Sequence, residues 1–300
     1  MFEDELKKRI AEVEDLVCSF LPEESGFQKR IAEAMNYSFK AGGKRLRPLL
    51  MLSIFRFLSD GRDEKLIYPY MAALEMIHTY SLIHDDLPAM DNDDFRRGLP
   101  TNHKKFGEAM AILAGDGLLN YAYEIASRFE SDDIDAMRAH IRAMKVLARK
   151  PGIYGMIGGQ ALDVELNDVK KTEEQLKFIY EYKTGALIEC ALMIGAIMAG
   201  ASDEVIRSVE KAASDIGLAF QIVDDILDVV GDEEKLGKPV HSDEKNMKTT
   251  YVSLYGMEAS KKRVRELSLN AKETLSRLGG NKEEGLFIEQ LIEWLVERDF

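Results

Sequence analysis

The sequence predicts an all-α fold, on three observations. Apolar residues recur at the i, i+3, i+4, i+7 spacing of one helix face, as at Ile67, Tyr70, Met71, Leu74, Ile77 and Ser81/Leu82. The strict alternation of a half-buried strand, bounded by turns, is found nowhere. Proline occurs only at 22, 48, 69, 88, 100, 151 and 239, mostly at helix entrances or in connections, where a missing N–H costs least.

In chain order the rhythm predicts helices over 5–20, 67–84, 108–128, 136–148, 174–200, 204–230, 258–277 and 284–297. The first opens as MFEDELKKRIAEVEDL, charged from its third residue and without the apolar core of a signal peptide. The second runs into Asp85-Asp86. Within 174–200, the run ALIECALMIGAIMAGA (186–201) is apolar on nearly every side, and so is the stretch ending at Val229-Val230. Such helices must be surrounded by others, which predicts a large bundle with a central layer. The 186–201 run is too short for a membrane span and carries Glu189. No linker, repeat or composition break appears, so one domain over residues 1–300 is expected.

At 300 residues and 46% hydrophobic, the chain has ample material for a large core. Forty basic against 53 acidic residues give a net charge of −13, which argues against nonspecific attraction to nucleic acid or an anionic membrane. Cys18 and Cys190 are isolated and read as small buried hydrophobes of a reducing compartment. A cytoplasmic location is expected.

Two acidic clusters carry the chemistry. In FQIVDDILD (220–228), Asp224 and Asp228 lie one turn apart on one helix face, with Asp225 beside them. Like charges among Ile222, Val223, Ile226 and Leu227 are costly unless a cation sits between them. Oxygen-only ligands suit Mg²⁺, which takes one or two carboxylates and completes its octahedron with water and substrate phosphate. In HDDLPAMDNDDFRR (84–97), Asp91 lies six residues past Asp85 and off its helical face, so Pro88 is expected to break the helix and let Asp91 return toward Asp85. A solvated acidic face is the plainer alternative for either cluster alone. An EF-hand fails, because Arg96 stands where its loop needs glycine.

Cations follow. AGGKRLRP (41–48) offers Lys44, Arg45 and Arg47 after two glycines, without the pattern of a Walker A loop. Arg96, Arg97, Lys183, Lys238 and Lys248 add more, and guanidinium forks suit phosphate oxygens. With no GxSxG, HExxH or dinucleotide fingerprint, diphosphate chemistry in an apolar helical cavity is what remains.

Read together, GGKRLRP (42–48), residues 75–116, GGQALD (158–163), KTGALI (183–188), FQIVDDILD (220–228) and GKPVHSDEKNMKTTY (237–251) resemble the trans-isoprenyl diphosphate synthase family, most closely its bacterial farnesyl diphosphate synthases. The resemblance covers most of residues 40 to 255. It implies the isoprenoid synthase fold, an antiparallel helical bundle around a deep central cavity, as a homodimer. It also implies Mg²⁺, about three ions with substrate bound and replaceable by Mn²⁺, held by Asp85, Asp86, Asp91, Asp224, Asp225 and Asp228. By the same resemblance Arg96, Lys183 and Lys238 grip an allylic diphosphate, with Lys248 a further substrate contact. Lys44, Arg47, His78 and Arg97 hold isopentenyl diphosphate, and Lys183, Thr184 and Gln221 stabilise the developing carbocation. The reaction implied joins isopentenyl diphosphate to dimethylallyl or geranyl diphosphate and yields farnesyl diphosphate.

Tyr80, with Ser81 beside it, sits five residues before Asp85, roughly 7.5 Å down the helix at ~1.5 Å per residue. There an aromatic ring would act as the floor that stops chain growth; ordinary core is the alternative. Rival functions are a geranylgeranyl or longer-chain synthase, a class I terpene cyclase, and a noncatalytic partner subunit of a heteromeric synthase.

Overall fold

The computed structural model describes residues 1–167, 169–230 and 249–296. They are almost entirely helical, and their contacts divide the chain into two compact units. Unit 1 comprises Met1–Leu52 and Asp63–Met144; unit 2 comprises Ser53–Arg62 and Lys145–Phe300. Two helices, α3 (Leu46–Leu58) and α7 (Ile134–Arg149), run unbroken through the points of division.

In unit 1, α4 (Tyr68–Asp85) packs chiefly against α6 (Glu108–Ser127), flanked by α1 (Phe2–Cys18) and α2 (Lys29–Lys40). Pro69 pre-sets the first turn of α4, and every residue from Tyr70 to Ile77 is buried. This helix is the centre of its unit. It ends at Asp85, after which Met90 and Asn92 both donate backbone bonds to the Leu87 carbonyl, closing a tight turn around Pro88.

The expectation of a strand-free chain is corrected in one place. Phe95–Arg96 (β1) and Leu99–Pro100 (β2) pair antiparallel across Arg97 and Gly98, whose φ values are 54° and 77°. Positive φ at both turn residues defines a type I′ hairpin, and two-residue strands are too short for periodicity to reveal. A five-residue helix, α5 (Asn102–Phe106), follows.

Unit 2 is built on α11 (Asp203–Val230), which packs on α10 (Ala186–Met198) and α13 (Met257–Ser276). Along α10 only Glu189 and Met193 escape burial, as its sequence predicts. Val229 and Val230 are 41% and 43% exposed, which corrects the expectation that this end of α11 is surrounded. Met156–Glu165 forms α8, Tyr251–Tyr255 α12 and Lys282–Val296 α14.

The segment predicted as one helix over 174–200 is three pieces. Helix α9 (Glu173–Ile179) starts on a capping box between Thr172 and Gln175, a π-helical turn spans Tyr180–Gly185, and α10 follows. The turn is gripped by glycines on either side. A Cβ on Gly159 of α8 would lie 2.3 Å from the Lys183 nitrogen, and one on Gly217 of α11 would lie 2.8 Å from the Gly185 Cα. Helices α2, α3, α5, α8 and α12 are absent from the predicted set. The buried Ala32, Met35, Asn36 and Phe39 of α2 follow the helical spacing, a signal that the sequence reading passed over, whereas α3 is apolar nearly all round and shows little periodic contrast. Among the described residues no helix is long and apolar enough to cross a membrane.

Candidate active site

Each unit carries one acidic cluster with its own cations. In unit 1, Asp85 and Asp86 close α4, and the turn at Pro88 returns Asp91 so that its N–H donates to the Asp85 carbonyl at 2.8 Å. Asp86 is buried and takes a forked bond from Arg96, with Nε at 2.8 and 2.9 Å and Nη2 at 2.6 Å. Burial, with Asp93 and Asp91 nearby, outweighs Arg96 and lifts the Asp86 carboxyl above its ordinary range. Arg96 also lies 3.7 Å from Asp93, and Lys104 pairs with Asp94 at 2.7 Å. Among the described residues no three carboxylates converge as a ready-made metal site.

The hairpin presents Arg96 and Arg97 side by side. Arg97 lies over Gly43, where an added Cβ would come within 2.8 Å of its guanidinium, and Gly43 has φ 144°. The Gly42-Gly43 pair therefore admits Arg97 to the loop bearing Lys44 and Arg45, next to the first turn of α3, which carries Arg47. Lys44 is exposed, whereas the Arg47 Nε is buried without a hydrogen-bond partner among the described residues.

Arg45 departs from the expectation that it joins the cations facing a polyanion. Its side chain is 0% exposed. Nη1 donates to Glu75 at 2.8 Å, Nη2 to Glu14 at 2.9 Å and to the Phe39 carbonyl at 2.6 Å, and Nε donates to Glu14 as well. The guanidinium also lies 4.8 Å from the Phe39 ring centre. Arg45 fixes the loop from inside.

His78 stands one turn beyond Glu75 on α4, half-buried. Burial, then the charges of Arg47, Arg97, Arg96 and Arg45, hold its imidazole well below the ordinary value of 6.5. It is neutral at neutral pH. Because the folded value is the lower one, the unfolded chain protonates first on acidification. The stability this group contributes is complete above 6.5 and is lost as pH falls below it. His78→Gln is expected to flatten the fall in stability between about pH 6.5 and 5, measured by urea unfolding at several pH values. An unchanged slope would assign the acid sensitivity elsewhere.

In unit 2, Asp225 and Asp228 are buried on α11 and Asp224 is half-buried. Two donors converge on the Asp225 Oδ2: the Tyr180 hydroxyl at 2.5 Å and the Tyr251 N–H at 2.7 Å. The π turn supplies Lys183 and Thr184. The Thr184 hydroxyl donates to the Gln221 Oε1 at 2.8 Å, and Lys183 Nζ donates to Asp163 at 2.8 Å. A π turn displaces side chains from the helical register, a geometry found often at functional sites. Lys238 and Lys248 lie outside the described residues.

Sequence reasoning passed over four residues that hold these groups: Glu14, Glu75, Asp163 and Lys171. Asp163 ends the GGQALD segment and Glu75 precedes Asp85 by ten residues, so both lie within stretches that carry the resemblance. Glu14 and Lys171 have no such signal.

The polyprenyl synthetase family description matches residues 28–280. A farnesyl diphosphate synthase of Geobacillus stearothermophilus is 45% identical over 270 residues, which are 90% of this chain and 89% of that protein. A geranylgeranyl diphosphate synthase of Cyanophora paradoxa is 45% identical over 265 residues, 88% of this chain and 86% of that one. The apo crystal structure of an FPP/GFPP synthase from Zymomonas mobilis is similar at a TM-score of 0.84 and 35% sequence identity, covering 98% of both chains.

Proposed function

The chain belongs to the polyprenyl synthetase family, and from that membership we propose that it condenses isopentenyl diphosphate with dimethylallyl or geranyl diphosphate to give farnesyl diphosphate. The observation that carries this reading is the pairing of an oxygen-only acidic cluster with its own set of cations in each unit. Unit 1 offers Arg47, Arg97 and a neutral His78, with Lys44 exposed beside them, for the diphosphate of isopentenyl diphosphate. Arg96 and Lys183 grip the allylic diphosphate, joined by Lys238 and Lys248.

The aspartates at 85, 86, 91, 224, 225 and 228 would hold Mg²⁺, or Mn²⁺ in its place. When bound, such ions neutralise the diphosphate and favour its departure. The remaining work belongs to the chain. Arg96 and Lys183 stabilise negative charge as the allylic C–O bond ionises. The Thr184 and Gln221 oxygens and the Lys183 carbonyl face the allylic carbocation, the double bond of isopentenyl diphosphate attacks it, and a proton is lost, with released diphosphate as the base. No protein nucleophile is needed. A single domain, a homodimer and a cytoplasmic location complete the proposal.

Product length rests on Tyr80. It is 6% exposed, its ring meets His84 edge-on at 5.8 Å, and its hydroxyl is buried without a hydrogen-bond partner among the described residues. Burial first, then Tyr123 and Asp85, push that phenol up to about 12, so it stays neutral. Tyr80→Ala is expected to shift the dominant product from fifteen carbons to twenty or more, read by chromatography of the dephosphorylated alcohols. An unchanged spectrum would leave Tyr80, with its neighbour Ser81, as core.

The experiment that tests the function is incubation of the protein with Mg²⁺, labelled isopentenyl diphosphate and dimethylallyl diphosphate. A fifteen-carbon alcohol supports it. Twenty-carbon product favours the activity named for the Cyanophora relative, and no product with either allylic substrate favours a noncatalytic subunit.

A further inference from the structure

Asp163 holds two lysines, and they differ in exposure. Its Oδ2 accepts from Lys183 Nζ at 2.8 Å, and its Oδ1 lies 3.4 Å from Lys171 Nζ. The Lys183 side chain is 32% exposed, that of Lys171 only 5%. Lys171 is anchored further by its Nζ, 3.4 Å from the Leu166 carbonyl, and by its N–H, which donates to Thr249 Oγ1 at 3.0 Å. With Asp163, Lys183, Thr184, Gln221 and Asp225 it lines a cavity of about 150 Å³.

A buried ammonium is costly without a resident anion, and Lys171 belongs to no motif read from the sequence. The single carboxylate of Asp163 is shared between two ammonium groups. If Lys171 were absent, Lys183 would be the only lysine on Asp163 among the described residues, and moving it to a ligand would strand a half-buried carboxylate.

We propose that Lys171 is a positioning residue: it remains with Asp163 as a permanent counterion, so that Lys183 can leave Asp163 and take the diphosphate of the allylic substrate. The identity of that diphosphate rests on the prenyltransfer reading. The exchange itself requires only a diphosphate.

The test is titration calorimetry with inorganic diphosphate and with geranyl diphosphate, in the presence of Mg²⁺, on the wild type, Lys171→Met, Lys171→Arg, Asp163→Asn and the double variant. Lys171→Met is expected to weaken both ligands about 10-fold, the scale of one partly screened charge pair, while Lys171→Arg stays within about 3-fold. In the Asp163→Asn background, Lys171→Met should change binding by less than about 2-fold, because the carboxylate that competes for Lys183 is gone. A role in packing alone predicts the same loss in both backgrounds and would overturn the proposal. So would wild-type affinity in Lys171→Met, or a wild type that binds neither ligand. If Lys171→Met does not fold, the charge-balanced double variant decides, by matching Asp163→Asn or falling about 10-fold below it. Diphosphate binding with this pattern, but no condensation with isopentenyl diphosphate, supports the exchange and removes the prenyltransfer reading.

Discussion

Asp225→Asn is expected to lower kcat about 10²–10³-fold, the loss seen when one preorganised charge-stabilising group is removed, with little effect on stability. The substitution separates two roles. Tyr180 and Tyr251 both donate to one oxygen of Asp225, and an asparagine carbonyl oxygen there can accept the same two bonds. Shape and hydrogen bonds survive while the charge goes. Alanine would mix the effects, leaving a buried hydroxyl and an N–H without an acceptor at about 1–3 kcal/mol. The measurement is steady-state kinetics at saturating Mg²⁺ beside thermal unfolding. A rate within about 10-fold of wild type would show that Asp225 orients Tyr180 and the start of α12 without handling charge.

The second large effect is on stability. Arg45→Met is expected to cost about 3–5 kcal/mol, because it leaves Glu75 as an uncompensated buried carboxylate and frees Glu14 and the Phe39 carbonyl. Glu14→Gln should cost less, about 1–2 kcal/mol, since that side chain is 31% exposed and the amide oxygen still accepts one bond. Thermal and urea unfolding of both variants checks the order. A loss below about 1 kcal/mol for Arg45→Met would mean that the guanidinium's own desolvation cancels what its partners return. Arg45→Met should also raise the KM for isopentenyl diphosphate, because Arg45 anchors the junction between the loop that carries Lys44 and the first turn of α3 that carries Arg47.

Much of this was legible before the structure. Spacing alone identified the acidic clusters, and the break at Pro88 followed from its missing N–H and its clash with the preceding turn. Periodicity located the long amphipathic helices to within about three residues at each end. It could not tell Arg45 from Arg47. Which cation of a KRLR run turns inward depends on backbone angles such as the φ of 44° at Arg45, and on partners 30 and 31 positions away. The same limit hid Lys171, whose partner Asp163 has meaning only once α8 lies beside the π turn. Local pattern reads elements; it does not read pairings between them.

The π turn bears on what insertions and deletions this chain can survive. A five-residue hydrogen-bonded loop inside a helix equals one residue more than the regular repeat, so α9 and α10 run out of phase by about 100° across Tyr180–Gly185. Deleting any one residue there would let a continuous helix form, at a gain in regular hydrogen bonding. It would also rotate everything on one side of the deletion by that angle, carrying Lys183 and Thr184 off Asp163 and Gln221. Length in this stretch is therefore constrained more tightly than composition: a conservative replacement keeps the register, whereas the loss of even one alanine-sized residue does not.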